Sequence, residues 1–227
     1  MAKYLEVIVT SVKEAIEAEA GGANRLELVR NLEVGGLTPH LRVIRAVLES
    51  VDIPVRVMLR ESADMALHNG HDLHLLRGAA KEAAQLPIDG FVMGFLQGDS
   101  IDREAMANVL SATDGHRVTF HRAFDELPDP ASAIPELKRL GQIDRILTVG
   151  GTGDWLARKE RLVAWQAIAS PEITLLVGAG IEETVLTDLA ATPQLQEVHV
   201  GRAARVPHLV TGTVERSTVG AIASRLR

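Results

Sequence analysis

Residues 4–29 read Tyr4-Leu5-Glu6-Val7-Ile8-Val9-Thr10-Ser11-Val12-Lys13-Glu14-Ala15-Ile16-Glu17-Ala18-Glu19-Ala20-Gly21-Gly22-Ala23-Asn24-Arg25-Leu26-Glu27-Leu28-Val29. The first six residues are a β-branched, apolar run with the character of a buried strand. Ser11 and Glu14 then stand three apart, the spacing of a capping box, which predicts a helix from Ser11 to Ala20. Gly21-Gly22 ends that helix, because glycine accepts the left-handed conformation that closes helices. A second strand follows at 25–29. Strand, helix and strand in this order form a βαβ unit, which makes the two strands parallel.

The same alternation continues to the end of the chain. Gly35-Gly36-Leu37-Thr38-Pro39 leads into a predicted helix near 40–49, with Thr38 as N-cap and Pro39 at the first helical position. Ile53-Pro54 gives an extended entry to a strand at 55–60. The polar stretch 61–71 reads as a loop before a helix near 72–85. Strands at 90–94, 117–121, 144–148, 173–177 and 196–200 then alternate with helices near 102–111, 131–140, 156–169, 181–190 and 214–226. Eight strand–helix units in 227 residues predict an α/β fold, a (β/α)8 TIM barrel, as one domain over 1–227. The rival is an open doubly wound sheet, but eight comparable units leave no evident nucleotide-binding half.

An apolar fraction of 46% supplies a core, and an aromatic share of only 3% means that Leu, Val, Ile and Ala must build it. The formal charge of -6 gives no basic footprint for nucleic acid. With no cysteine, disulfides, thiolate metal sites and cysteine nucleophiles are excluded. No apolar run reaches membrane-spanning length, and the start has no signal-peptide core, so the expectation is a cytoplasmic protein without membrane partners.

Charges inside the strand segments carry the functional reading. Glu6, Glu27, Arg60, His121 and His199 lie in or at the ends of five apolar strands. A charge there is costly unless it is paired or hydrogen-bonded. In either fold, ligands bind beyond the carboxyl ends of the strands, so these residues are expected to share one polar site. Glu6 and Glu27 fit binding a cation, orienting a base or dividing proton affinity, or else a buried salt-bridge network with Arg25, Arg60 or Arg122. The guanidinium fork of Arg60 suits a carboxylate or phosphate. His121 is the candidate acid or base, since histidine titrates near neutrality; it is also a possible metal ligand. Two-residue periodicity puts Thr119 and His121 on one face and turns Arg122 away, toward the outer layer or a neighbouring loop. His68, His71 and His74 read as solvated surface.

Gly150-Gly151-Thr152-Gly153 and Gly178-Ala179-Gly180 follow strands six and seven, and Gly201-Arg202 follows strand eight. Gly150, Gly151, Gly178, Gly180 and Gly201, with Arg122, are therefore candidates for cradling an anion; simple turn formation is the alternative. None of these segments matches a P-loop or a dinucleotide fingerprint.

The chain resembles the CutC family, the copper homeostasis proteins. The resemblance is carried by Leu5-Glu6-Val7, Gly22-Ala23-Asn24-Arg25-Leu26-Glu27-Leu28, Gly35-Gly36-Leu37-Thr38-Pro39 and Thr119-Phe120-His121-Arg122-Ala123-Phe124-Asp125. Asp144-Arg145-Ile146-Leu147-Thr148 and Glu197-Val198-His199 extend it over about the first 200 residues. It implies a cytoplasmic barrel, often oligomeric, that handles copper, with Glu6, Glu27, Arg60, His121, Arg122 and His199 at matched polar positions. The chain departs from many relatives in having Ser62 where a second arginine is common. It also has Val29 and Glu126-Leu127 where cysteines occur. Copper is thus expected from resemblance alone. Met58 and Met93 are the nearby sulfur donors, and His121, His199, Glu6 and Glu27 would suit a harder divalent ion. Three functions stand: a copper-binding homeostasis protein, a barrel enzyme acting independently of copper on a small anionic metabolite, phosphorylated or not, and a scaffold stabilised by its charges. The expected partners are a small anion or a metal ion, and a second copy of the chain.

Overall fold

The computed structural model describes residues 3–178, 181 and 183–227. The barrel strands are β1 (Tyr4–Val9), β2 (Arg25–Leu28), β3 (Val55–Met58), β4 (Gly90–Met93), β5 (Arg117–Phe120), β6 (Ile143–Thr148), β7 (Thr174–Val177) and β8 (Glu197–Val200). The helices are α1 (Val12–Ala20), α2 (Leu41–Leu48), α3 (Gly70–Ala83), α4 (Arg103–Leu110), α5 (Pro130–Arg139), α6 (Trp155–Ala169), α7 (Glu183–Ala190) and α8 (Arg216–Arg225). All eight strands pair in parallel with their sequence neighbours, and β8 pairs with β1 to close the barrel. The fold is the predicted (β/α)8 barrel.

Local chemistry sets most helix ends. Ser11 caps α1 by accepting from the Glu14 N–H, as the capping box requires. The return half of the box differs: the Glu14 carboxylate accepts from the N–H and hydroxyl of Thr10 and pairs with buried Arg205. Asn69, Asp102, Asp129 and Asp154 cap α3, α4, α5 and α6. α2 departs from expectation. It begins at Leu41, and Thr38 does not cap it. The Thr38 hydroxyl instead exchanges hydrogen bonds with the backbone of Arg60, both at 3.0 Å, tying the β2–α2 loop to the end of β3.

Strand residues alternate between two environments. Leu5, Val7, Val9, Leu26, Leu28, Phe91 and Phe120 face the helices and build the main apolar layer. The inward positions hold one small apolar cluster, Ile8, Val29, Met58 and Val92, among many charges. Arg56 donates to Asp89, Asp144 and the Thr119 hydroxyl. Arg145 pairs with Asp144 and Glu197; Arg25 pairs with Glu197 and Glu6. A register shift between Val118 and Thr119 lets two consecutive β6 residues, Asp144 and Arg145, both join this network. Charges alternate in sign along it, so no buried carboxylate in the chain from Asp89 to Glu6 lacks a cation.

Candidate functional site

The network ends at the carboxyl ends of the strands, beneath a cavity of about 910 Å³. Glu27, Arg60, His121, Arg122, His199 and Gly201 line it, contributed by β2, β8 and the segments that follow β3, β5 and β8. Glu6 lies immediately beneath, fully buried, with Oε1 2.8 Å from His199 Nδ1 and Oε2 bound by the Arg25 Nε–H. Five predicted strand charges therefore meet at one mouth.

Four buried side-chain atoms among the described residues have no hydrogen-bond partner. Three of them, Glu27 Oε2, Arg60 Nε and His121 Nε2, belong to the cavity wall. Each has a local cause. The β1–β2 register sets Glu6 beside Arg25 and Glu27 beside Ile8; the β2–β3 register sets Glu27 beside Arg56, but that guanidinium is taken by Asp89, Thr119 and Asp144, so Glu27 gains no arginine of its own. Its closest charged contact is His199 Nδ1, 3.5 Å from Oε2. Arg60 donates through Nη2 to the Val34 carbonyl at 2.7 Å and lays Nη1 3.5 Å from the Met65 sulfur, leaving Nε–H unused. His121 Nδ1 accepts from the Ala123 N–H at 3.2 Å, which fixes the neutral ring's proton on Nε2.

Burial, and then the neighbouring Arg60, push His121 down to about 3. It is neutral at physiological pH, a donor through Nε2–H rather than the titrating group the sequence suggested. Burial, reinforced by Glu6 against the opposing His199 and Arg60, raises Glu27 to about 7. Burial opposes ionisation of Glu6, but Arg25 and His199 outweigh it and hold that carboxyl well below its ordinary range. Burial likewise opposes charge on His199, and Glu6 with Glu27 overcomes it, so His199 is raised. The mouth thus holds one carboxyl poised at neutrality, one neutral imidazole donor, a second imidazole whose proton affinity is raised by two carboxylates, and the Arg60 guanidinium.

Arg122 is half exposed and pairs with Asp125 at 3.1 Å. Asp125 in turn accepts from the Thr148 hydroxyl and the Val149 N–H, binding the β5 loop to the end of β6. Gly178 is buried against His199 and Leu147. Gly150 and Gly151 do not line the cavity; their loop folds onto α6, where Arg161 Nε donates to the Gly150 carbonyl at 2.7 Å and Arg158 Nε donates to the Val149 carbonyl at 2.6 Å. Those glycines serve a turn, with φ of 84° and 79°. Gly180 lies outside the described residues. Met93 is packed in the outer layer, whereas Met58 and Met65 line the cavity. Phe124 stacks edge-on against Trp165 in the core. His68 pairs with Asp64 on the surface.

Sequence reasoning missed the lower network of Arg56, Asp144, Arg145 and Glu197, although Arg25 and Glu27, two apart on one strand, signalled a charged inner face. It also missed Gly94, where a Cβ would stand 2.8 Å from His121 Nδ1. That glycine leaves the space the imidazole occupies beside the end of β4.

A sequence model of the CutC family matches residues 3–204. The chain belongs to the CutC family. It is 34% identical over 196 residues to the human copper homeostasis protein cutC homolog, covering 86% of this chain and 71% of the relative. It is 32% identical over 197 residues to a CutC family protein of Histophilus somni, covering 86% and 81%. The crystal structure of a CutC protein from Streptococcus agalactiae superposes with a TM-score of 0.79 at 28% identity, over 88% of this chain and 98% of the other. The CutC match spans the barrel through β8, and so Glu6, Glu27, Arg60, His121, Arg122 and His199. No helix among the described residues is long and apolar enough to cross a membrane.

Proposed function

We propose that this CutC protein is an enzyme that moves a proton on a small anionic carbonyl compound, without recruiting copper. The observation that carries this reading is the trio of unpartnered buried atoms, Glu27 Oε2, Arg60 Nε and His121 Nε2, facing one cavity. Leaving such atoms unpaired costs roughly 1–3 kcal/mol each, a cost a bound ligand removes. Their chemistry is complementary to one ligand type. Arg60 Nε–H and its charge hold an anionic group. His121 Nε2–H donates to a carbonyl oxygen, and a neutral imidazole so placed stabilises an enolate. The Glu27 carboxylate takes the proton from the carbon beside that carbonyl. The C–H bond breaks, its electron pair passes into the enolate, and the proton resides on Glu27 until it returns to the same or the adjacent carbon. No co-reactant is needed, and a base with pKa near 7 suits transfer in both directions.

Copper enters through the names of relatives, and the donor set here argues against copper(I), which prefers thiolate and thioether ligands. There is no cysteine, and of the two thioethers on the wall Met65 already lies against Arg60. Glu6, Glu27 and His199 present donor atoms within 4.8 Å of one another. Yet Glu6 has both oxygens engaged, by Arg25 and by His199, and His199 spends Nδ1 on Glu6. An ion there would break the Glu6–His199 contact and strip Arg25 of a partner, so these residues as arranged do not fit the metal.

The test is solvent exchange. Purified protein in D2O is offered a panel of 2-oxo acids and related anionic carbonyl compounds, and loss of α-proton signal is followed by NMR. Exchange is expected for at least one class, with a rate that rises through a pKa near 7 and falls about 10²–10⁴-fold in Glu27→Gln. Arg60→Ala should raise KM. Undiminished exchange in Glu27→Gln, or a tight copper complex in place of any exchange, would overturn the reading.

A further inference from the structure

The cavity is far larger than its polar groups require. At about 910 Å³ it lies near the top of the ~300–1,000 Å³ range of small-molecule sites. Its unpartnered atoms sit at one end, on the strand mouth. Beyond the strand mouth the wall is largely but not wholly apolar: Leu186 from α7, Ala203 and Val210 from the β8–α8 loop and Ala221 and Ile222 from α8 stand among the polar Arg202, His208, Thr218 and Arg225. Val210 is 39% exposed at the outer edge. Among the described lining residues Glu27 is the sole carboxylate, beside Arg60, Arg202 and an Arg122 that is paired with Asp125, in a chain whose net charge is -6. Field focusing of this kind draws anions into a cleft of an acidic protein.

We propose that the substrate is an amphipathic anion, with a carboxylate-bearing carbonyl head at Glu27, Arg60 and His121 and an apolar body of several carbons along α7, α8 and the β8–α8 loop. The inference rests on the proton-transfer reading and names the class of compound that reading requires. A short acid would leave Leu186, Ala203, Val210 and Ile222 facing water inside a cleft. An apolar body replaces that water, and each methylene so buried is worth about fourfold in affinity.

The experiment is a binding series. Straight-chain 2-oxo acids from three to ten carbons are titrated calorimetrically into wild-type protein, Arg60→Ala, Val210→Asp and Ile222→Asn, with circular dichroism confirming the fold of each. Affinity is expected to climb about fourfold per carbon in the wild type until the body is housed. In Arg60→Ala every member should weaken by a similar factor, leaving the slope intact. In Val210→Asp the slope should flatten; this residue is exposed, so the variant tests the inference even where Ile222→Asn fails to fold. Affinity that depends on Arg60 but not on chain length overturns the apolar body and leaves the proton-transfer reading standing. Affinity that climbs with length but ignores Arg60 overturns the anionic head. No binding by any member sinks both.

Discussion

Replacing Glu27 by glutamine tests the site without chemistry. The substitution keeps shape and removes one ionisation. In the folded protein Glu27 is raised from an ordinary 4.5 to about 7, chiefly by burial. Its neutral form is therefore the one the fold favours. That preference contributes stability fully below pH 4.5 and loses it as pH rises toward 7, because over this window the folded state binds more protons than the unfolded one. Between pH 5 and pH 8 the loss is about 2–3 kcal/mol, since a tenfold change in proton affinity corresponds to about 1.36 kcal/mol. Glu27→Gln cannot lose it. The variant should thus gain about 2–3 kcal/mol on wild type between these pH values, equivalent to roughly 4–12 °C in Tm for a chain of this size. Urea unfolding at pH 5 and pH 8 measures the difference, with Glu6→Gln as a comparison whose ΔΔG should hardly change over this window, because a carboxyl held well below its ordinary range is ionised throughout it. Equal ΔΔG for Glu27→Gln at the two pH values would show that Glu27 is an ordinary carboxylate and remove the basis for a base poised at neutrality.

The other predictions concern the parts around it. Arg25→Met leaves Glu6, 0% exposed, without its arginine, and should cost about 3–5 kcal/mol in urea unfolding, much of it restored when Glu6→Gln is added. His121 should keep its proton on Nε2 and show no titration between pH 5 and 8 in ¹⁵N-detected NMR; a midpoint near 6.5 would contradict its burial against Arg60. Gly94→Ala places a Cβ 2.8 Å from His121 Nδ1, so it should displace the ring, cost about 1–3 kcal/mol and shift the ¹⁵N resonances of His121.

The barrel was legible because each unit states itself locally: an apolar run, a cap, a helix and a glycine stop. Boundaries agree within about two residues except where a distant partner intervenes. Thr38 is a good N-cap by type, but the backbone of Arg60 claims its hydroxyl, and that partner is 22 residues away. The strand charges were legible as a group, since each violates an apolar strand. Their division of labour was not. Glu6 and Glu27 look alike in sequence, and only the registers and the competing acids decide that Glu6 keeps Arg25 while Arg56, beside Glu27, turns to Asp89 and Asp144. The β5–β6 register shift that brings both Asp144 and Arg145 into the interior has no local signature either. The glycines after β6 leave cradle and turn equally open in the sequence, because both need the same backbone, and the arginines of α6 that cap the loop stand 9 and 11 residues from the carbonyls they bind.

The lower network explains why the mouth can tolerate unpaired atoms. Buried ion pairs add little net stability over hydrophobic residues of similar volume, so their presence calls for another consequence. Here they fix positions. From Asp89 through Arg56, Asp144, Arg145, Glu197 and Arg25 to Glu6, every charge touches one of opposite sign, and the last link, Glu6 to His199, holds that imidazole 3.5 Å from Glu27. His199 offsets part of the burial that raises Glu27, and Glu6 opposes it. A weaker Glu6–His199 pair would leave Glu27 more strongly protonated; a Glu27 with its own arginine would ionise as readily as Glu6 does. The alternation stops one link short of a full pair, at the wall of the cavity, and a proton or a ligand there completes it.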